Sequence, residues 1–285
     1  MIEHSRNRTM TRVILQCVVL LLLPFRIAAQ TAETKGDVPQ PLTIGETFLI
    51  RSAVLNEERR INVYAPPAYA SSPGVRLPVL YMPDGGVAED FVHVAGLVQI
   101  LTGNGTMRPF LLVGIENTER RRDLTGPTEN AEDKKIAVRV GGSANFRSFL
   151  RDELIPAIEK RYRTTSERAI VGESLAGLFI VEALIVEPAL FDTYIAFDPS
   201  LWWNDEKLLK QAGNAPAVNA TPKRLYVAMS SDGSMAAARQ LTKALSRRPR
   251  MRVWSHAMPE EKHATIYHPA ALRAFRLLFP PEPRP

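Results

Sequence analysis

The run from Arg168 to Gly177 limits the choice of folds for this chain more than any other stretch. Three apolar residues, Ala169 to Val171, predict a short buried strand, and the apolar run Leu178 to Ile185 predicts a helix. Small residues surround Ser174 between them, as a sharp strand-to-helix turn requires because the two backbones nearly touch there. This context is typical of a nucleophile elbow, although a serine that only caps the helix is the alternative.

Strand and helix patterns alternate through most of the remaining chain. An antiparallel hairpin is predicted first, from Glu46–Val54 and Arg60–Ala65. The later predicted strands are Leu77–Met82, Phe110–Ile115, Asp192–Phe197, Arg224–Met229 and Arg252–Ala257. The predicted helices are Ala88–Leu101, Phe146–Tyr162 (kinked at Pro156), the helix after Ser174, Ala236–Leu245 and Pro269–Leu278. This order predicts an α/β protein, a three-layer sandwich whose sheet is mostly parallel. The polar segment 116–142 interrupts it, and loops of that length are more often functional than structural.

The amino terminus has the layout of a secretory signal peptide. Arginines precede the eleven-residue apolar run Val13–Leu23, and small residues stand just before Gln30. The run is too short for a transmembrane anchor. We therefore predict a cleaved signal peptide at 1–29, a single domain at 30–285 and a periplasmic or secreted protein without a stable membrane anchor.

The net charge and the cysteine content limit the kinds of binding partner and of nucleophile that this chain can have. The whole sequence carries a formal net charge of +6, and loss of 1–29 removes four arginines and one glutamate, leaving +3. That charge is too small to indicate a nucleic-acid partner. Cys17, the one cysteine of the sequence, lies in the predicted signal peptide, so the mature chain has neither a disulfide nor a thiol nucleophile.

A serine nucleophile needs a base that takes its proton and a third group that holds the base. His263 lies in the loop between the last predicted strand and the last helix, which returns a side chain to the carboxyl edge of the sheet near Ser174. His268 is the weaker alternative. His256 alternates with Trp254 inside the last strand, where a structural role is expected.

For the acid, the sequence favours Asp232, which follows the strand Arg224–Met229. Asp198, Glu260 and Glu261 remain open, because only geometry decides which carboxylate reaches the imidazole.

The reaction also needs hydrogen-bond donors for a developing oxyanion. One is expected to be the backbone N–H of Leu175, directly after the nucleophile, and the second that of Gly86, with Gly85 as the alternative. No pair of two histidines, or of a histidine and a glutamate, stands at metal-ligand spacing and phosphate-binding glycine loops are absent, so neither a metal nor another cofactor is expected.

Four stretches together resemble a known family. They are Leu77–Gly86, Val113–Thr125, Phe149–Tyr162 with the elbow after it, and Phe197–Trp203. They are similar to the Putative esterase family of the α/β-hydrolase fold, which includes enterobactin-type siderophore esterases, S-formylglutathione hydrolases, feruloyl esterases and mycolyltransferases. The resemblance implies Ser174 as nucleophile and His263 as base. In this chain Glu173 stands where many relatives have His, Ala176 replaces the usual Gly, and Asp198 often corresponds to Ser.

Two loop residues at the predicted active-site edge are candidates for substrate binding. Arg121, in a run of three arginines, and Trp202 would suit an anionic, planar acyl group such as a catecholate or a hydroxycinnamate. The alternative is a solvated charged loop and a tryptophan pair packed in the core.

These observations predict an exported serine carboxylic-ester hydrolase that acts on a small-molecule ester through an acyl-enzyme on Ser174. The first alternative is a periplasmic siderophore (enterobactin-type) trilactone esterase, and the second a catalytically silent binding protein with the same fold. The sequence gives no indication of an oligomeric state.

Overall fold

An eight-stranded mixed sheet forms the centre of the computed structural model, which describes residues 39–213 and 221–281. The strands are β1 (Glu46–Ser52), β2 (Glu57–Tyr64), β3 (Leu77–Pro83), β4 (Leu111–Ile115), β5 (Thr164–Glu173), β6 (Thr193–Phe197), β7 (Lys223–Ser230) and β8 (Met251–Met258). Their order in the sheet is β1-β2-β4-β3-β5-β6-β7-β8. The β1–β2 and β2–β4 pairs are antiparallel, and every pair from β4 to β8 is parallel. The predicted α/β class, with its mostly parallel sheet and amino-terminal hairpin, is confirmed.

Helices cover both faces of the sheet. They are α1 (Pro67–Ser71), α2 (Phe91–Gly103), α3 (Arg120–Asp123), α4 (Ser143–Phe149), α5 (Ile155–Arg161), α6 (Leu175–Val186), α7 (Trp203–Ala212), α8 (Met235–Ser246) and α9 (Tyr267–Leu278). Side chains of α4 to α8 pack with one apolar cluster, and those of α2 and α9 with another. Strand β5 serves both, because Ile170 faces the first cluster while Ala169 and Val171 face the second. The sheet is therefore the middle of three layers.

The contacts of the chain separate Thr43–Pro285, a compact unit, from Met1–Leu42. The predicted signal peptide at 1–29 lies outside the described residues, and the single domain over 30–285 stays a prediction. Among the described residues, none of the helices combines the length and the apolar character needed to span a bilayer.

The helix predicted at Phe146–Tyr162 is interrupted rather than simply kinked. A single π-helical turn, Leu150–Leu154, separates α4 from α5, and Pro156 lies in the first turn of α5. Proline has no N–H to donate to the preceding turn, so the irregular turn falls just before it.

The long segment 116–142 is ordered by hydrogen bonds to the start of α7. It contains α3 and a 3-10 turn, Asp133–Lys135. The buried carboxylate of Asp133 accepts hydrogen bonds from Thr128 Oγ1 (2.6 Å) and from the backbone N–H of Asn204 (2.8 Å). Asn204 in turn donates its side-chain amide to the carbonyl of Pro127 at 3.0 Å. This loop therefore supports the turn that carries Trp202.

A buried arginine joins that segment to the sheet. The side chain of Arg59, on β2, is fully buried and pairs with Asp123 at 2.5 Å and with Glu57 at 2.9 Å. Its guanidinium also lies over the rings of Phe146 and Phe149, 5.3 and 5.9 Å from their centroids. The charge is thus compensated, and β2, α3 and α4 are held together.

Candidate active site

Ser174 lies in the sharp turn between β5 and α6, with φ 60° and ψ −120°. A non-glycine residue rarely adopts this backbone conformation, and its persistence means that the surroundings enforce it. The N–H of Ser174 donates to the carbonyl of Phe197 (3.0 Å), and its own carbonyl accepts the N–H of Ser200 (3.1 Å). The turn is therefore fixed to the end of the neighbouring strand β6.

Small residues are needed around this turn because it is tightly packed. A Cβ on Gly172 would lie 2.6 Å from the Cβ of Ala176, and one on Gly177 would lie 3.0 Å from the Cα of Pro199. Neither distance allows a side chain without a shift of backbone. The sequence prediction of an elbow at this position agrees with its geometry.

His263 lies in the loop between β8 and α9, and its ring contacts Asp198. Its Nδ1 is 3.2 Å from Asp198 Oδ2. Asp198 follows β6, has φ 38°, and its side chain is only 1% exposed. Its Oδ1 accepts the backbone N–H of Ser230 at 2.7 Å, and its Oδ2 accepts the hydroxyl of Ser230. With Asp198 Oδ2 as the acceptor, the imidazole proton is assigned to Nδ1, and Nε2 is left as the basic nitrogen.

Asp232, the acid that the sequence favoured, contacts His263 through the backbone instead. Its Oδ2 accepts the N–H of His263 at 3.1 Å, and its Oδ1 pairs with Lys262 at 3.2 Å. Hydrogen bonds from the His263 backbone and then from Lys262 lower the pKa of Asp232. The carboxylate that reaches the imidazole is therefore Asp198, because Asp232 is directed to the backbone of the same loop.

The candidate residues meet in a cavity of about 360 Å³. Ser174, His263, Asp198 and Asp232 line it. Its other lining residues are Pro199–Trp202, Glu206, Met229, Gly233, Ser234 and Ala237. The cavity brings the predicted nucleophile and base to one place at the carboxyl edge of the parallel strands, where ligands bind in open α/β sheets.

The tryptophan pair is divided between the core and the cavity. Trp203 is buried and donates its indole N–H to the carbonyl of Gly126 at 2.9 Å. Trp202 lines the cavity and is 54% exposed. The core packing expected as the alternative therefore applies to Trp203, while a substrate-binding role for Trp202 stays a prediction.

The three arginines that follow β4 point to different partners. Arg120 makes two hydrogen bonds to Asp84, at 2.7 and 2.8 Å, and Arg122 pairs with Glu57 and Asp123. Arg121 is exposed and lines a hollow of about 350 Å³ that shares no lining residue with the Ser174 cavity. The structure thus does not bring Arg121 together with Trp202.

The predicted oxyanion donors differ in availability. Leu175 is the first residue of α6, and the first N–H groups of a helix have no acceptor within it. The N–H of Gly86, by contrast, donates to Glu89 Oε2 at 2.7 Å, and that of Gly85 donates to the carbonyl of Ile115. A substrate oxygen can use Gly86 only after Glu89 moves away.

Glu173 lies directly before the nucleophile and close to the imidazole. Its Oε1 is 3.9 Å from His263 Nδ1, and this oxygen is buried without a hydrogen-bond partner. Burial raises the pKa of Glu173 to about 8, together with the negative charges of Asp90, Asp198 and Asp84, while Arg120 acts against them. The neutral carboxyl is therefore the form that the site favours at neutral pH.

Glu173, Asp198 and His263 also form the only group of three acidic, histidine or cysteine side chains in the described residues with ligand atoms within 4.8 Å of one another. Asp198 and His263 direct these atoms at each other, and Ser230 donates to both oxygens of Asp198. These contacts suit a carboxylate–imidazole pair that takes part in proton transfer. The expectation that no metal is needed stays a prediction.

Sequence reasoning missed Ser230 and undervalued Asp198. Nothing in the residue pattern distinguishes an aspartate after β6 from one after β7, since both follow buried strands. A possible signal was the pair of hydroxyl residues Ser230 and Ser231, which offers donors to a buried carboxylate.

The chain is similar to known esterases in sequence and in fold. A family model described as "Putative esterase" matches residues 52–281. Ferri-bacillibactin esterase BesA of Bacillus subtilis is 31% identical over 198 residues, which cover 64% of this chain and 68% of that protein. Siderophore triacetylfusarinine C esterase of Aspergillus fumigatus is 33% identical over 146 residues, 48% of each chain. The crystal structure of an IroE-like serine hydrolase from Shewanella oneidensis is similar with a TM-score of 0.72 at 28% identity, covering 82% of this chain and 80% of that chain.

Proposed function

Because the chain belongs to the Putative esterase family of ester hydrolases, we propose that it is a serine carboxylesterase that forms an acyl-enzyme on Ser174. One observation carries this proposal. Ser174, held in a strained turn, lines the same cavity as His263, whose Nδ1 is hydrogen-bonded to the buried carboxylate of Asp198. Nucleophile, base and orienting acid are the three parts that acyl transfer by a serine requires.

The reaction takes place in two halves. Nε2 of His263 accepts the hydroxyl proton as Ser174 Oγ bonds to the ester carbonyl carbon, and the resulting oxyanion is stabilised by the N–H of Leu175. The imidazolium then gives the proton to the leaving alcohol as the ester C–O bond breaks. A water molecule, deprotonated by the same nitrogen, attacks the acyl-enzyme, and the proton returns to Ser174 when the acid leaves. Asp198 keeps the imidazole oriented throughout.

Hydrolysis of p-nitrophenyl acetate and butyrate by residues 30–285 tests the proposal. We expect turnover by the wild type and a loss of about 10⁴-fold or more in Ser174→Ala. Ser71→Ala, which removes an exposed hydroxyl from α1, is the matched control and should keep full activity. If Ser174→Ala is as fast as the wild type, or if both are inert, the assignment of Ser174 fails.

A catalytically silent protein with this fold is the alternative, and a fluorophosphonate probe distinguishes it. Only an activated serine reacts with such a probe. We expect covalent labelling of the wild type at Ser174 and none of Ser174→Ala. An unlabelled wild type would favour the silent protein.

The similarity to two siderophore esterases favours a second, narrower candidate: the ester is the trilactone of a catecholate siderophore. Such a substrate is larger than a p-nitrophenyl ester. Since Arg121 lies outside the Ser174 cavity, it can contribute only to a substrate that extends beyond that cavity. Its exposed guanidinium would then pair with an anionic catecholate.

Arg121→Ala is therefore expected to raise KM for a ferric catecholate trilactone more than it lowers kcat, and to leave p-nitrophenyl butyrate hydrolysis unchanged. Arg276→Ala removes an exposed arginine from α9 and serves as the control. If the enzyme hydrolyses p-nitrophenyl esters but does not cleave the trilactone, this substrate is excluded. Equal KM values for the wild type and Arg121→Ala would exclude a role of Arg121 in binding it.

We also propose that the protein is exported after removal of residues 1–29, on the basis of the basic and apolar pattern of that segment. Amino-terminal sequencing of the protein from an expressing bacterium should begin at Gln30. A sequence that still begins at Met1 would contradict export by this route.

A further inference from the structure

Glu173 presents a carboxyl oxygen to the same ring nitrogen that Asp198 contacts, and no step of the reaction above uses it. Its Oε1 is buried, has no hydrogen-bond partner and lies 3.9 Å from His263 Nδ1. Asp198 Oδ2 lies 3.2 Å from the same nitrogen. The imidazole therefore has two acidic groups on one side.

The two carboxyl groups differ in how their charge is compensated. Asp198 receives both donors of Ser230 and the imidazole N–H. Glu173 Oε1 receives none, and its side chain is only 17% exposed. When two carboxyl groups share a site, the one with fewer donors keeps its proton to higher pH. Glu173 is thus the group that its surroundings favour as the carboxylic acid.

Charged or titratable groups from the neighbouring elements face Glu173. They are Asp84 after β3, Asp90 before α2, Arg120 in α3, Asp198 after β6, His263 after β8 and Tyr267 in α9. Burial first, and then Asp90, Asp198 and Asp84, raise the pKa of Glu173 to about 8, and Arg120 only partly opposes them. The surroundings place its ionisation within the pH range in which an esterase works.

We propose that Glu173 is a positioning residue whose protonation state sets the strength of His263 as a base. This inference rests on the proposed serine mechanism and adds a residue to it. When Glu173 loses its proton, a second negative charge stands 3.9 Å from Nδ1. That charge stabilises the imidazolium that forms when Nε2 takes the proton of Ser174. The rate of acyl transfer therefore rises with the ionisation of Glu173, and no bond to Glu173 is made or broken beyond the loss of its proton.

The pH profile of kcat is the first test. A tenfold change in an equilibrium constant corresponds to about 1.4 kcal/mol of differential interaction between two protonation states. We expect the ratio of kcat at about pH 9 to that at about pH 7 to be about five- to tenfold larger in the wild type than in Glu173→Gln. Glu58→Gln removes the same charge from an exposed site on β2 and should keep the wild-type ratio. An unchanged ratio in Glu173→Gln would overturn the proposal.

A second variant tests the direction of the effect. Because the charge of Asp90 raises the pKa of Glu173, Asp90→Asn should move the midpoint of the alkaline rise in kcat to lower pH. A merely structural defect would lower kcat at all pH values without moving that midpoint. A midpoint that stays in place would count against Glu173 as the titrating group.

The pH dependence of thermal unfolding also reports the protonation of Glu173, and it needs no substrate. A folded-state pKa of about 8 against 4.5 unfolded means that the native protein binds the extra proton between these values, so stability falls as the pH rises from 4.5 to about 8. Glu173→Gln removes this loss, so its Tm relative to the wild type should increase by about 3 °C or more across that range and stay constant above it. A difference in Tm that does not change with pH would overturn the proposal.

The two readouts also separate this inference from the proposed function. If Ser174→Ala is fully active, the serine mechanism fails while the pH-dependent difference in Tm remains. If Ser174→Ala is inactive and Glu173→Gln has the wild-type pH profile, the mechanism stands and the role of Glu173 fails.

Discussion

Asp198 and Asp232 both contact His263, but through different atoms. Asp198 is buried and reaches the ring nitrogen, while Asp232 is exposed and accepts the backbone N–H. Only the ring contact can select the tautomer and stabilise the imidazolium. At the scale of single residues, we therefore propose separable roles for the two carboxylates: Asp198 orients the base, and Asp232 helps to hold its loop.

Asp198→Asn should lower kcat by about 10³-fold or more, because an amide does not stabilise the imidazolium and can favour the wrong tautomer. Asp232→Asn should lower kcat by no more than about threefold, because its exposed carboxylate touches only the backbone of His263 and the Lys262 side chain. Both variants are compared by steady-state hydrolysis of p-nitrophenyl butyrate. Equal losses in the two variants, or a larger loss in Asp232→Asn, would reverse the assignment.

At the scale of secondary-structure elements, the site depends on how β5, α6 and the end of β6 pack. Hydrogen bonds join Ser174 to Phe197 and Ser200, and glycines allow the close approach of the backbones. The strain at Ser174 is thus maintained by two neighbouring elements and not by the serine alone.

Gly172→Ala tests this packing. The new Cβ would lie 2.6 Å from the Cβ of Ala176, so the turn must open, with an expected cost of about 1–3 kcal/mol and a large loss of kcat. Gly96→Ala is the matched control, because a Cβ there has no neighbour within 4 Å and alanine favours the helix α2 by about 0.5–1 kcal/mol. Urea unfolding and ester hydrolysis measure both effects. A Gly172→Ala enzyme with wild-type activity would show that the tight turn is not required.

The sequence predicted these elements well, since their order follows from local patterns of apolar residues. It could not predict the details that long-range contacts decide. Asp198, and not Asp232, contacts the imidazole and accepts the donors of Ser230. The N–H of Gly86 is hydrogen-bonded to Glu89. Arg121 lies in a different hollow from Trp202 because of the course of its loop. Each of these outcomes depends on side-chain directions that no periodicity encodes.

At the scale of the whole molecule, a buried charge network joins strand β2 to the segment 116–142. The side chain of Arg59 has no contact with solvent, and Asp123 and Glu57 compensate its positive charge. Arg122 adds a second cation to the same two carboxylates. Removal of one partner from such a network leaves charge uncompensated in the interior.

Asp123→Asn should therefore destabilise the protein by about 3 kcal/mol and lower Tm by about 6–12 °C. Arg60→Gln removes a partner from the surface pair Arg60–Glu116, in which both side chains are more than a third exposed, and should cost less than about 1 kcal/mol. Differential scanning calorimetry of the two variants decides the matter. A smaller loss of Tm in Asp123→Asn than in Arg60→Gln would show that the network does not stabilise the fold.

The placement of Trp202 has an optical consequence. The chain has three tryptophans; Trp203 is enclosed by the core, Trp254 lies beside Arg252, and only Trp202 stands in the wall of the cavity with half of its surface in solvent. A molecule that packs against this indole displaces water from it and is expected to change its fluorescence emission. The fluorescence of Trp202 can therefore report ligand binding in the cavity, and Trp202→Phe should abolish that fluorescence change.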